Sequence, residues 1–121
     1  MNGEPLFRVS FFGTDSGRVP VREWLKGLDE ADRKSIGRDI QFVQFRWPLG
    51  MPLVRKIEPY LWEVRSQLSS RRTARVLFTI SDNKMVLLHG FIKKSQRISQ
   101  TDLSIARQRK NLWQNRRTRH E

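Results

Sequence analysis

Apolar residues along this 121-residue chain change their period midway. Leu6-Phe-Arg-Val-Ser-Phe-Phe12 is rich in aromatic and branched side chains and stops at Gly13, which predicts a first strand. The segment TDSGRVP, Thr14 to Pro20, predicts a turn. Pro20 suits a first helical position, because its missing N–H has no partner there in any case. Val21, Trp24, Leu25 and Leu28 follow at i, i+3, i+4 and i+7, one face of a short helix. Asp29 then serves as N-cap of a second helix, with Glu30 and Asp32 favouring its dipole. Ile36, Ile40, Val43 and Trp47 keep helical spacing until Pro48, Gly50 and Pro52 stop it.

The second half alternates instead. Leu61–Gln67, Thr73–Ile80 and Met85–Ile92 read as three strands. Ser69–Arg72 and Ser81–Lys84 supply the turn chemistry for two successive hairpins. Ser99 or Thr101 caps a last helix running to about Trp113, with Leu103, Ala106, Leu112 and Trp113 as its apolar positions. The order β-α-α-β-β-β-α predicts an α+β fold, an antiparallel sheet with helices mainly on one face. One domain is expected over residues 1–121, with an ordered core of about 6–113 and a fraying basic tail, 114–121.

Alternation also sorts the strands by face. Trp62, Val64 and Leu68 share a face with Ala74, Val76, Phe78 and Ile80. The other face takes Leu61, Glu63, Arg65 and Gln67 with Thr73, Arg75, Leu77 and Thr79. Arg65 and Arg75 are therefore expected on neighbouring strands of an open sheet face, with Glu63 nearby. On the last strand, parity groups Met85, Leu87, His89, Phe91 and Lys93. If that set faces the open side, Lys93 arrives beside the two arginines. A bulge near Gly90 would turn Lys94 inward instead. His89 is open to two readings, a hydrogen-bonded imidazole or a proton carrier. Glu63 is read first as an ion-pair partner of an arginine.

Charge sharpens this picture. Lys and Arg number 24 against 12 Asp and Glu, a formal net charge of +12. Residues 1–54 are nearly balanced, at +1, whereas residues 55–92 carry +4 and residues 93–121 carry +7. Cations gathered on the strands and last helix point to a polyanion, nucleic acid or an acidic protein. The chain has no cysteine, so disulfides and thiolate metal sites are excluded. The only histidine besides His89 is His120, and a His-based metal site is not expected. There is no phosphate-cradling glycine loop, and no cofactor is expected. The opening MNGEPLFRVS lacks the apolar run of a signal peptide, and no stretch is long enough to span a bilayer, so a cytoplasmic protein is expected.

Several segments carry a resemblance. LWEVR (Leu61–Arg65), ARVLF (Ala74–Phe78) and LLHGFIKKSQ (Leu87–Gln96) are followed by a capped basic helix. GRVPVREWLKGL (Gly17–Leu28) and PLVRKI (Pro52–Ile57) fit as well. Together they resemble the phage-derived Gp49-like, HigB-type toxins of the RelE/ParE superfamily. The resemblance implies the RelE-like microbial RNase fold and a toxin of a bacterial type II toxin–antitoxin system. It implies an mRNA interferase that cleaves translated mRNA on the ribosome, held inactive by a cognate antitoxin, often a helix-turn-helix DNA-binding protein. The alternatives are a ParE-like toxin that inhibits DNA gyrase without cutting RNA, and a non-enzymatic nucleic-acid-binding module of a mobile element. Some branches use a C-terminal tyrosine; Tyr60, the one tyrosine here, precedes the second predicted strand and leaves that role vacant.

The implied chemistry is metal-independent attack of a 2′-OH on the adjacent phosphate. It needs a base, cations for the phosphorane and an acid for the 5′-oxygen. Arg65 and Arg75 suit the phosphate, because planar guanidinium donors match its oxygens in pairs. Lys93 or Lys94 stabilises charge or exchanges the proton, and Glu63 or His89 is the candidate base. Arg55, Lys56, Arg71, Arg72, Arg97, Arg107, Arg109, Lys110, Arg116 and Arg117 are candidate contacts to RNA, the ribosome or the antitoxin.

Overall fold

A computed structural model describes residues 3–93 and 97–119, with backbone alone for 117–119. The elements are β1 (Arg8–Phe11), α1 (Pro20–Lys26), α2 (Glu30–Arg46), β2 (Val54–Glu58), β3 (Leu61–Gln67), β4 (Thr73–Ser81), β5 (Lys84–Lys93) and α3 (Gln100–Arg119). A short 3-10 turn, Ser69–Arg71, links β3 to β4. The fold is α+β, as the periodicity predicts, around one five-stranded sheet of order β1-β5-β4-β3-β2.

Three expectations about the architecture change. The sheet is mixed, not wholly antiparallel: β1 runs parallel to β5, while the other neighbours are antiparallel. Local periodicity carries no information about strand direction at that edge. The second departure is β2, which alternation missed. Arg55 and Lys56 fill its centre, and the register slips between Lys56 and Glu58, so Ile57 breaks the period. Central charges also suit an edge strand, since they discourage further pairing.

The third change concerns the layers. α1 and α2 cover one face with Val21, Ile36, Ile40 and Val43, packed on Val64, Ala74, Val76 and Phe78. α3 covers part of the opposite face, placing Ala106, Leu103, Leu112 and Trp113 against Phe12, Leu61, Leu77, Val86 and Leu88. Helices therefore lie on both faces. The sequence hint was Leu61 and Leu77, two apolar residues on an otherwise polar face, which burial takes out of water. α3 also continues past Trp113 to Arg119, through most of the expected tail.

Two local devices fix the strands that matter most. Ser81 pairs with Lys84 across a two-residue loop, and Asp82 and Asn83 both adopt positive φ (52° and 61°). That is the hairpin turn whose twist matches the flanking strands, and Asp and Asn tolerate it. Trp24 lies against Gly90 of β5, where a Cβ would run into its ring. Trp47 meets Phe7, Trp62 and Phe78 edge-on and packs with them against the core under α1 and α2. Among the described residues no helix is long and apolar enough to cross a membrane.

Candidate functional site

The α3 side of the sheet is divided. Its apolar half lies beneath α3. Its charged half is a grid set by strand register. Arg65 is opposite Arg75, and Arg75 is opposite Phe91. On one side of this row stand Gln67, Thr73 and Lys93; on the other stand Arg55, Glu63, Leu77 and His89. Glu63, Arg65 and Arg75 share a face as predicted, but that face is not open at all three: Glu63 and Arg75 are buried, so neither reaches a phosphate or a 2′-OH directly as expected, and Arg65 alone of them meets solvent.

A bulge decides which residues of β5 join them. Leu77 pairs with His89 while Phe78 pairs with Leu87, leaving Leu88 as the extra residue. Before the bulge, Met85 and Leu87 face α1 and α2, whereas Val86 and Leu88 face α3. After it, His89, Phe91 and Lys93 take the α3 side. Unbroken parity grouped all five of Met85, Leu87, His89, Phe91 and Lys93, so that grouping is corrected for the first two. The irregularity expected near Gly90 lies at Leu88 instead. A bulged residue leaves the regular ladder, and its polar groups need other partners. Here Arg109 of α3 donates from Nη1 to the Leu88 carbonyl at 2.8 Å. Burial lowers the Arg109 pKa from its ordinary value.

One carboxylate ties His89 and Lys93 to α3. Asp102 Oδ1 lies 2.7 Å from His89 Nε2, and Oδ2 accepts from Lys93 Nζ at 3.0 Å and from Ser99 Oγ at 2.7 Å. Ser99 Oγ in turn accepts the Asp102 backbone N–H at 3.0 Å, so Ser99 is the helix cap, one of the two residues expected. Burial pushes the Asp102 carboxyl up, but the hydrogen bonds from His89, Ser99 and Lys93 outweigh it and hold the pKa down at about 2. Asp102 was missed from sequence. The run Ser99-Gln-Thr-Asp102, a cap hydroxyl followed three residues later by an acid, was the available signal.

Deeper in the face lies Glu63, with a side chain 0 % exposed, 3.8 Å from both Arg65 Nε and Arg75 Nη1. Burial raises its pKa, against the pull of Arg75, Arg65 and Arg55. Burial likewise lowers the Arg75 pKa; Glu63 opposes that shift and Arg65 and Arg55 add to it. Arg75 is 1 % exposed, Arg65 11 % and Lys93 33 %. Lys93 and Arg65 therefore meet solvent, and Arg75 and Glu63 lie behind them. Lys94 falls outside the described residues.

The wider set of cations separates in the same way. Arg55, Lys56, Arg71 and Arg97 are exposed, and Lys110 is half-buried. Carboxylates from distant segments hold three of the set, Arg107 among them although it too is exposed. Arg72 forks onto Asp32 at 2.8 and 3.1 Å, Arg107 pairs with Glu58, and Arg116 binds the Gly13 carbonyl and Asp15. The charge of these arginines is legible in the sequence; their distant partners are not. Arg117 has no described side chain.

A family model described as phage-derived protein Gp49-like (DUF891) matches residues 23–111. No curated protein matches the chain.

Proposed function

Since the chain belongs to the phage-derived Gp49-like family, a family associated with RelE/HigB-type toxins, we propose that it is the toxin of a type II toxin–antitoxin pair and a metal-independent mRNA interferase acting on the ribosome. The observation that carries this reading is the cluster built on Asp102: His89 and Lys93 held by one carboxylate on the sheet face that bears Arg65.

Asp102 is ionised and accepts, so His89 donates from Nε2, and the lone pair of the neutral imidazole then lies on Nδ1. Nδ1 takes the proton from the 2′-OH as its oxygen attacks the adjacent phosphorus. Arg65 and Lys93 stabilise the charge of the phosphorane. The P–O5′ bond then breaks, and Lys93 gives a proton to the leaving oxygen. The products are a 2′,3′-cyclic phosphate and a 5′-OH. Glu63, enclosed behind Arg65, holds its guanidinium in place, and Arg75, on the other side of Glu63, adds to the positive potential. The ribosome aligns the mRNA, an effect worth roughly 7–11 kcal/mol at its best. An antitoxin covering this face would block it.

The test is to induce the protein in growing cells and map mRNA 5′ ends. New ends phased with codons are expected, and His89→Gln and Lys93→Met should remove them while both variants still bind the antitoxin. Intact mRNA accompanied by DNA damage would replace this reading with the gyrase-inhibiting one.

A further inference from the structure

Along the β2 edge of the sheet, cations form a line that ends in an aromatic ring. Arg65 of β3 meets solvent at one end. Arg55 of β2 lies opposite Glu63, nearer the β2–β3 turn, and is exposed with no ion pair among the described residues. β2 then returns to β3 through Pro59 and Tyr60, between the paired residues Glu58 and Leu61. From Arg65 to Tyr60 the strand covers about 17 Å at its usual rise. Glu58 at the turn is held by Arg107 of α3, and Lys110 also acts on it, so cations flank this end too.

Tyr60 is 64 % exposed, more than any other large apolar side chain described. Singly exposed apolar residues are ordinary. The backbone sets this one apart, because its φ is 66°. A proline followed by a residue at positive φ is the pattern of a type II turn, whose second central position favours glycine or asparagine. In that conformation Cβ crowds the following carbonyl, and bulky residues are uncommon. Asp82 and Asn83 are types that tolerate positive φ; among the described residues Tyr60 is the one aromatic that adopts it. The ring belongs to neither core cluster and makes no ring contact or hydrogen bond among the described residues. An aromatic ring held out on a strained turn, at the end of a cationic edge, has the layout of a single-strand binder: cations follow the phosphates and the ring takes a base.

We infer that Tyr60 is a stacking platform for an unpaired base of single-stranded RNA, on a track whose phosphates pass Arg55 and Arg65. This deepens the interferase reading and rests on it for the identity of the strand, the mRNA flanking the cut; the binding itself needs no cleavage. Every base has a π-face, so the platform holds the strand without selecting a sequence. The ring is what matters, and the phenol hydroxyl is dispensable.

The probe is a fluorescein-labelled 2′-O-methyl oligouridine of about twelve nucleotides, which 2′-OH attack cannot cut. It is titrated with purified protein and followed by fluorescence polarisation. Tyr60→Gly relieves the turn and should raise the thermal midpoint by a few degrees. It should nevertheless weaken binding by about fivefold to a hundredfold, the range for one stacked base. Tyr60→Leu, apolar but without a ring face, should weaken it too, whereas Tyr60→Phe should bind like the wild type. The loss in Tyr60→Gly should leave the slope of log affinity against log salt unchanged, while Arg55→Gln should make that slope shallower by about 0.7. A strand of the same length with abasic residues should bind the wild type and Tyr60→Gly equally. Wild-type affinity for oligouridine in both Tyr60→Gly and Tyr60→Leu would overturn the inference, and so would an equal loss on the abasic strand. Weakened antitoxin binding with unchanged RNA affinity would make Tyr60 a protein contact and overturn it as well. A wild type that binds oligouridine through Tyr60 yet produces no new mRNA 5′ ends in cells would keep the platform and remove the interferase reading.

Discussion

Asp102→Asn removes the charge that holds His89 and Lys93 together while keeping the size of the side chain. The native carboxyl lies at about 2 against an ordinary 3.8, and the side chain is only 13 % exposed. That difference corresponds to about 2 kcal/mol of folding stability at neutral pH. The folded state binds this proton less readily than the unfolded state, so the contribution is complete above about pH 4 and disappears as pH falls through about 2. At pH 3 it should have dropped to roughly half. Urea unfolding followed by circular dichroism at pH 3, 4 and 5 gives the measurement, with wild type and variant side by side. Other carboxylates, Glu23 and Glu58 among them, are also held low by arginine partners. They titrate in both proteins and cancel in the difference. The stability gap between wild type and variant should therefore widen from pH 3 to pH 5. A gap that stays flat, or narrows with rising pH, would refute the claim that this carboxylate is stabilised by its three partners.

Arg109→Met should leave the Leu88 carbonyl without its donor, at a cost of about 1–3 kcal/mol. Amide hydrogen exchange should quicken at His89 and Phe91 before it quickens elsewhere in β5, and unchanged protection there would detach Arg109 from the bulge. Gly90→Ala should lower the thermal midpoint, because the new methyl group would force Trp24 off the sheet; about 1–3 kcal/mol is expected for overpacking of this kind. If the proposed ribosome binding holds, cations with and without a carboxylate partner should differ in its salt dependence. Neutralising Arg55 or Arg71 should make the slope of log affinity against log salt shallower by about 0.7–0.9 for each phosphate that the protein no longer neutralises. Neutralising Arg107, which is engaged with Glu58, should leave that slope alone.

What the sequence disclosed was local. The bounds of β3 match the alternation of Leu61–Gln67, and Ile36, Ile40 and Val43 are buried at the helical spacing that predicts them. The placement of Arg65 and Arg75 on one face follows from period two alone, because both strands are regular between the turns that bound them. Irregular backbone hid the remainder. β2 carries its charges in mid-strand and a slipped register, so it imitates a loop. β1 gives no local sign that it will lie parallel to β5. The arginines of α3 read as a binding surface, because a carboxylate 49 or 101 residues away leaves no trace beside them in the sequence.

The candidate site depends on the one feature of β5 that alternation cannot express. Continued without a bulge, the parity that sends Val86 and Leu88 toward α3 would send Gly90 and Ile92 there too, and His89 and Lys93 toward α1 and α2. The added residue at Leu88 reverses this. It brings the histidine and lysine onto the face of Arg65 and at the same time turns Gly90 toward Trp24, where only a glycine fits. α3 then secures both consequences: Arg109 bonds the displaced carbonyl, and Asp102 binds the two side chains that the bulge redirected. The helix that covers the apolar half of the sheet is thus also what organises the charged half. A change that slides α3 along the sheet by one turn should therefore abolish the site without disturbing the core formed by α1 and α2.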